Sequence, residues 1–344
     1  MGGLSKCKSS TLSQLATLCG IPNQPTKEGR QKAILRYLDL FSRLNVPTSA
    51  MAQGNLSVLL MDIGIKNFAY CKVDGIDIKQ SDIKSIVTKS QWDKWDLHKE
   101  FGCEGLEPLL GNSNGGVLDS KRYLSHLSYL VVNRLAVSSL PRPNVIVVET
   151  QRTRSNSNSV TLPNVLLNYT FENMLYSSLY TLSRLGIVDH ECLIVPMNAN
   201  SMANFWINRY VKKLSLAKNS KKYRLSLLLH WLNNPSLSPV RFKDIELPQG
   251  FENLSISKKR QVVLGYLGKE KNEKLDDLVD CLLYNITIKF QLSNLYTLAD
   301  NLRLNMDISP LVEELNLKHY SFIRPLIDEL DLELNDDFKY LKPT

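Results

Sequence analysis

The stretch that most constrains this chain is Ser57–Val73, and within it the unbroken apolar run Val58–Met61 followed by Asp62. Such a run has no polar face to turn toward water, so it predicts a strand buried on both sides inside a sheet. An acid stands at its end. In rough terms a buried carboxylate costs several kcal/mol unless something offsets it, and a bound cation is the usual partner. Gly64 permits a tight turn and Asn67–Val73 is largely apolar again, so the stretch reads as a β-hairpin with Asp62 near its bend. Aspartate beside a turn is ordinary in any protein, and Asp62 gains meaning only from acids elsewhere.

Two further elements supply them. Asn144–Thr150, NVIVVET, is a second β-branched run that ends in an acid, Glu149, which has no turn-forming advantage to explain its place. Leu275–Tyr284, LDDLVDCLLY, has the helical period, with Leu275, Leu278, Val279, Leu282 and Leu283 on one face. Asp276 and Asp280 are one turn apart, as are Asp277 and Asp280, so the acids share a neighbouring face. The helix macrodipole accounts for Asp276 and Asp277 in a first turn. It accounts poorly for Asp280, which sits a turn further in and repels the others.

An acid after a first strand, an acid ending a central strand and acids on a late helix follow the order of the ribonuclease-H-like nucleases. The chain resembles more closely the fungal mitochondrial Holliday-junction resolvases, relatives of the bacterial RuvC-type enzymes. The resemblance rests on MDIGIKNFAYCKV from Met61 to Val73, ETQRTRS from Glu149 to Ser155, SMANFWI around Trp206, and KLDDLVDCLL from Lys274 to Leu283. It spans most of residues 10 to 290; the segment after Glu149 and the distal Asp-Asp-x-x-Asp are its specific parts. It implies an α/β fold, a ribonuclease-H-like mixed sheet flanked by helices, and a homodimer that cuts four-way junction DNA in mitochondria. The catalytic set it implies is Asp62, Glu149, Asp276, Asp277 and Asp280. Phosphodiester hydrolysis calls for an activated water, charge neutralisation and a stabilised leaving oxygen, which two Mg²⁺ ions (or Mn²⁺) about 3.5–4 Å apart can supply. Carboxylates are suitable hard ligands. Asp62 is then expected to bridge the ions, with Glu149 on one, and Asp280 with Asp276 or Asp277 on the other. Spacing does not rank those last two, although Asp277 joins Asp62, Glu149 and Asp280 in the expected metal set. No small-molecule cofactor is expected.

Net charge is +8, yet residues 300–344 hold ten acids against five Lys/Arg, so the preceding body carries +13. Such a body suits a polyanion. No apolar run is long enough to predict a membrane span. Six scattered cysteines follow no zinc or disulfide pattern and read as reduced thiols.

Four modules are expected: residues 1–45, a linker at 46–55, a resolvase domain at 56–290 and a helical C-terminal extension at 291–344. The first 27 residues contain no acid, which is compatible with a mitochondrial presequence, but Thr11–Cys19 and Lys27–Leu44 carry helical stripes. With Gly20-Ile21-Pro22 between them they resemble a SAP-like DNA-binding hairpin, in which Lys27 and Arg30 would meet phosphates. Gln151, Arg152 and Arg154 leave the carboxyl end of the Glu149 strand, where ligands bind in open α/β sheets, and are expected to contact the junction. Lys212, Lys213, Lys221 and Lys222 belong to a basic run that is either a solvated face or a DNA-facing strip. Helices over 123–137 and 162–183 carry apolar faces that suit core packing or a dimer. The competing functions are a non-catalytic DNA-packaging protein, a nuclease for RNA–DNA hybrids, and an actin-like ATPase. The last lacks any Gly-rich phosphate loop here.

Overall fold

In the computed structural model, which describes residues 2–43, 56–79, 85–102, 117–151, 163–188, 192–212 and 220–341, the described residues form one seven-stranded sheet. Its strands are β1 (Leu56–Asp62), β2 (Phe68–Ile76), β3 (Ser85–Val87), β4 (Trp92–Trp95), β5 (Val145–Glu149), β6 (Leu193–Met197) and β7 (Val240–Phe242). The order is β6-β5-β1-β2-β3-β7, with β4 also pairing β2. β1 and β2 form the expected antiparallel hairpin, and β5 lies parallel to β1. β4 was not foreseen: Trp92-Asp-Lys-Trp95 reads as a mixed segment, and only its pairing with Phe68–Cys71 makes it a strand. Nor was β7, a three-residue strand parallel to β3.

Alternation sorts the sheet's residues onto two faces. Leu59, Met61, Tyr70, Ile146 and Val148 pack with Leu127, Val131, Phe171 and Leu175 from helices α5 (Val117–Val132) and α6 (Pro163–Arg184). Leu60, Ala69, Cys71, Val147 and Met197 pack on the other side with Leu278, Leu282 and Ile286 from helix α10 (Asp276–Arg303). The sheet is therefore mixed and covered by helices on both sides, as parallel strands joined through helices require. The remaining helices described are α1 (Gly2–Lys6), α2 (Ser9–Leu18), α3 (Lys27–Arg43), α4 (Leu97–Phe101), α7 (Ala199–Ala203), α8 (Ser220–Asn233), α9 (Ile256–Tyr266), α11 (Ile308–Ser321) and α12 (Arg324–Glu329).

α10 is the axis of the molecule. Residues on all of its sides are buried from Leu278 to Leu295, the mark of a helix enclosed by protein. Its polar groups are anchored rather than solvated: Asn285 donates to the backbone carbonyls of Val58 and Cys71, each at 3.0 Å, and Trp92 Nε1 donates to Leu278 O at 2.8 Å. Trp206 Nε1 donates to Leu283 O at 3.1 Å and Thr287 Oγ1 at 2.9 Å, so this tryptophan of the SMANFWI segment is a structural clamp. The boundary expected at 290/291 falls inside this 28-residue helix, and the C-terminal extension grows directly out of it. The N-terminal helices also meet it: Leu12, Leu15, Leu18 and Ile34 form one buried cluster with Leu295, Leu298, Ile308, Leu311 and Val312.

Candidate active site

The register of the sheet brings the acids together. Met61 pairs with Val148, so Asp62 and Glu149, one residue further on parallel strands, stand side by side at the carboxyl ends of β1 and β5. The row continues in the other direction, because Asp62 pairs with Ala69 and Ala69 with Lys94. Strand parity turns Asp62 and Glu149 toward the face that α10 covers. The first two turns of α10 arrive over this row, carrying Asp276, Asp277 and Asp280.

Asp62 feels the crowding most. Burial, then a hydrogen bond and charge repulsion from Glu149, then the charges of Asp277 and Asp280, push its carboxyl well above the usual range. Asp280 is also raised, chiefly by burial, against the pull of Arg224. That arginine on α8 grips Asp280 with a fork, Nε to Oδ1 at 2.6 Å and Nη2 to Oδ2 at 3.0 Å. Lys94 Nζ lies 2.8 Å from Asp277 Oδ2. Asp276 turns instead to Lys221, at 3.7 Å. Tyr284, one turn beyond Asp280, donates its hydroxyl to Glu149 Oε1 at 3.0 Å, and burial followed by the charge of Glu149 raises its own pKa.

Four of the five expected acids thus converge, and Asp276 sits at their edge beside Lys221. An all-oxygen donor set of this kind suits a hard divalent cation. Among the described residues, the cations that reach this cluster pair with Asp276, Asp277 and Asp280, so the like-charged neighbours Asp62 and Glu149 keep a need for positive charge. As they stand, however, no three His, Cys, Asp or Glu side chains among the described residues are arranged to hold an ion.

The expected DNA-binding residues are spread more widely. Gln151 leaves β5 beside Glu149, and its backbone N–H donates at 2.9 Å to Glu172 of α6. Arg152, Arg154 and Lys213 lie outside the described residues. Lys221 and Lys222 are exposed at the start of α8, Lys221 close to the acids. Lys212 is elsewhere in its contacts: its ammonium pairs with Glu333 and its N–H donates to Glu333 O at 3.0 Å. Lys27 donates to Ser5 O at 3.0 Å and Arg30 to Asn23 Oδ1 at 2.7 Å, so both lace α3 to the preceding helices while remaining at the surface. A cleft of about 530 Å³ opens beside Lys94, its walls mixing Lys66, Lys99, Lys269 and Lys274 with the acids Asp93, Asp96, Glu100, Glu270 and Glu273. A larger cavity of about 680 Å³ has none of the acids in its lining.

The profile of the family described as mitochondrial resolvase Ydc2 / RNA splicing MRS1 matches residues 58–298. The chain belongs to this family. The mitochondrial cruciform cutting endonuclease 1 of Saccharomyces cerevisiae is 25% identical over 286 residues, covering 79% of this chain and 74% of that protein. The crystal structure of the yeast mitochondrial Holliday junction resolvase Ydc2 superposes with a TM-score of 0.51, covering 87% of this chain and all of that one at 18% identity. The latter match establishes a common fold, a mixed α/β sheet flanked by helices.

Proposed function

We propose that the protein is a mitochondrial endonuclease that resolves four-way DNA junctions by divalent-metal-dependent hydrolysis, on a ribonuclease-H-like core. Its relatives' names support the substrate and the compartment. Family membership alone leaves a choice, because the family's description also covers an RNA-splicing protein. The observation that favours a nuclease is the register-matched row of Asp62 and Glu149 under Asp277 and Asp280. A DNA-packaging or splicing role gives no reason to crowd four acids inside a basic body, where each raises the energy of the next.

Asp62, Glu149, Asp277 and Asp280 would hold the ions, with Asp277 preferred to Asp276 because Asp277 adds to the crowding at Asp62 while Asp276 faces Lys221. When bound, Mg²⁺ supplies an ionised water and neutralises charge at phosphorus and on the leaving oxygen. The chain does the rest. β1 and β5 fix two carboxylates at adjacent strand ends, Tyr284 holds Glu149 by its hydroxyl, and α10, clamped by Trp92 and Asn285, carries the other two. Glu172 tethers the backbone at Gln151, two residues beyond Glu149. The basic surface, including the SAP-like N-terminal hairpin and Lys221 and Lys222, supplies affinity for the backbone.

Two strands of a junction must be cut, which calls for two sites related by a two-fold axis and hence a homodimer. Leu166, Tyr169 and Tyr180 lie exposed along one stripe of α6, a face that a second copy would cover. The test is incubation with a synthetic four-way junction, the matching linear duplex and an RNA–DNA hybrid, in Mg²⁺ or in EDTA, with light scattering on the same protein. Paired nicks confined to the junction, dependent on Mg²⁺ and made by a dimer, are the expected outcome. Preferential cutting of the hybrid would reassign the substrate, and binding without cutting would leave the packaging role.

A further inference from the structure

Lys94 and Arg224 are almost wholly buried, at 7% and 8% exposure, and each is paired with an acid of the active site. Burying a cation costs several kcal/mol in rough terms, and a buried ion pair seldom recovers more than an apolar pair of the same size would give. Neither site needs a charge for packing. On β4 the flanking residue of the same face, Trp92, is in the core, and on α8 the residues one turn past Arg224, Leu227 and Leu228, are fully buried. Packing alone therefore does not call for a cation at either position; what each cation meets is the negative charge of a half-buried acid, Asp277 or Asp280.

Their placement does suggest a use. Lys94 reaches the acids from the sheet, two strands from Asp62 with only the small Ala69 between them. Arg224 reaches them from α8. Its fork engages both oxygens of Asp280, and Lys94 engages Asp277 at 2.8 Å. These are two of the carboxylates proposed above to hold the ions. A divalent ion on either carboxylate would compete with the side-chain cation for its negative charge and repel that cation, which loosens both pairs. The released ammonium would remain beside the cleft that Lys94 lines, and the released guanidinium beside Asp280. The strongest partner arriving there is a phosphate, which a guanidinium fork fits as well as it fits a carboxylate.

We propose that Lys94 and Arg224 are phosphate ligands held in reserve: in the ion-free protein they park on Asp277 and Asp280, and when divalent ions take those carboxylates they pass to the phosphate oxygens of the bound strand. The proposal rests on the reading of this site as a metal-dependent nuclease. It assigns two substrate-binding residues outside the acidic set and makes their contact with DNA conditional on the ion.

That condition is measurable. Junction affinity of the full-length protein would be read by fluorescence anisotropy in EDTA and in Ca²⁺, with strand integrity checked afterwards. Lys94→Met and Arg224→Gln should bind as wild type does in EDTA, within about twofold, and lose about tenfold or more in Ca²⁺, the worth of one charge-assisted hydrogen bond. Arg224→Lys keeps the charge without the fork; it should show the same condition with a smaller loss, and it is the variant to read if Arg224→Gln does not fold. Equal losses in both buffers, or no loss in Ca²⁺, would mean the two pairs are structural, and the proposal would fall. A wild-type protein with no preference for the junction over duplex would instead remove the functional reading. The exchange of partners would then be judged by calorimetry with Ca²⁺ alone. There Lys94→Met and Arg224→Gln should each gain about threefold in affinity by freeing a carboxylate, and unchanged affinity would overturn it.

Discussion

Asp62→Asn should give a protein that no longer cuts yet melts at a higher temperature than wild type in EDTA at neutral and alkaline pH. The loss of activity follows from removing the acid at the centre of the row. Several kcal/mol of charge stabilisation go with an ion's principal ligand, about 10³-fold in rate. The gain in stability follows from the same crowding. Burial and the neighbouring Glu149, Asp277 and Asp280 raise the Asp62 carboxyl in the folded protein, whereas the unfolded chain restores its ordinary value. Between those two values the folded state holds the extra proton, so stability falls as pH rises through that interval and stays reduced above it. Asparagine has no proton to lose. The difference in Tm between variant and wild type should therefore be small near pH 4, grow as pH rises and level off above the raised value. Taking the difference cancels the titration of the buried His319, and Asp280 contributes a slope of the same sign to both proteins. An effect of about 1 kcal/mol corresponds to roughly 2 °C in a chain of this size, and Mg²⁺ should shrink it by stabilising wild type alone. A variant less stable than wild type at pH 8 in EDTA would show that the Asp62 carboxylate is not crowded, and a variant that cut at near wild-type rate would remove it from the site.

This double effect was half legible in the sequence. Val58–Met61 and Val145–Val148 announce buried strands by their unbroken apolar runs, and the acids closing them are conspicuous because nothing local explains them. That the two strands are parallel neighbours in a register that sets Asp62 beside Glu149 is a property of the sheet, on which the residue pattern is silent. The choice between Asp276 and Asp277 also waited for contacts, since both lie one turn or less from Asp280 and only Lys221 and Lys94 pull them apart. Lys94 and Arg224 were the harder residues to see. Arg224 stands in a run with Lys221 and Lys222, where the solvated reading is natural, and only the burial of one member sets it apart. Lys94 did leave a trace: in Trp92-Asp-Lys-Trp95, a strand with Trp92 inward places Lys94 inward too. The segment was too short to be recognised as a strand from its own residues.

The N-terminal hairpin is where local pattern misleads about organisation, and removing residues 1–45 should show it. A SAP-like accessory on a linker would be dispensable for folding: its loss would lower DNA affinity and leave the melting transition where it was. The contacts argue otherwise. Leu12, Leu15 and Leu18 of α2 are fully buried in a cluster shared with Leu295 and Leu298 of α10 and with Ile308, Leu311 and Val312 around α11. Asn294 of α10 donates to the carbonyl of Leu18 at 2.8 Å, and Asn316 of α11 donates to Gln14 Oε1 at 2.8 Å. The stripe on α2 could have been satisfied by α3 alone, which is why the sequence reads as an independent hairpin; it is the burial of α10 on all sides that requires a cover here. Exposing five large apolar side chains costs on the order of 10 kcal/mol at about 1.5–3 kcal/mol each, comparable with the whole stability of an ordinary domain. The truncated protein should therefore be poorly soluble, or fold with a C-terminal extension that a protease clips between α10 and α11. Because α10 also carries Asp277 and Asp280, cleavage should fall along with stability. Leu15→Asp in the full chain should reproduce the lowered Tm without removing a single basic residue, which separates loss of packing from loss of DNA contacts. A truncated protein that stayed soluble, melted within about 2 °C of full length and cut junctions at the wild-type rate would restore the hairpin to the role of a tethered accessory.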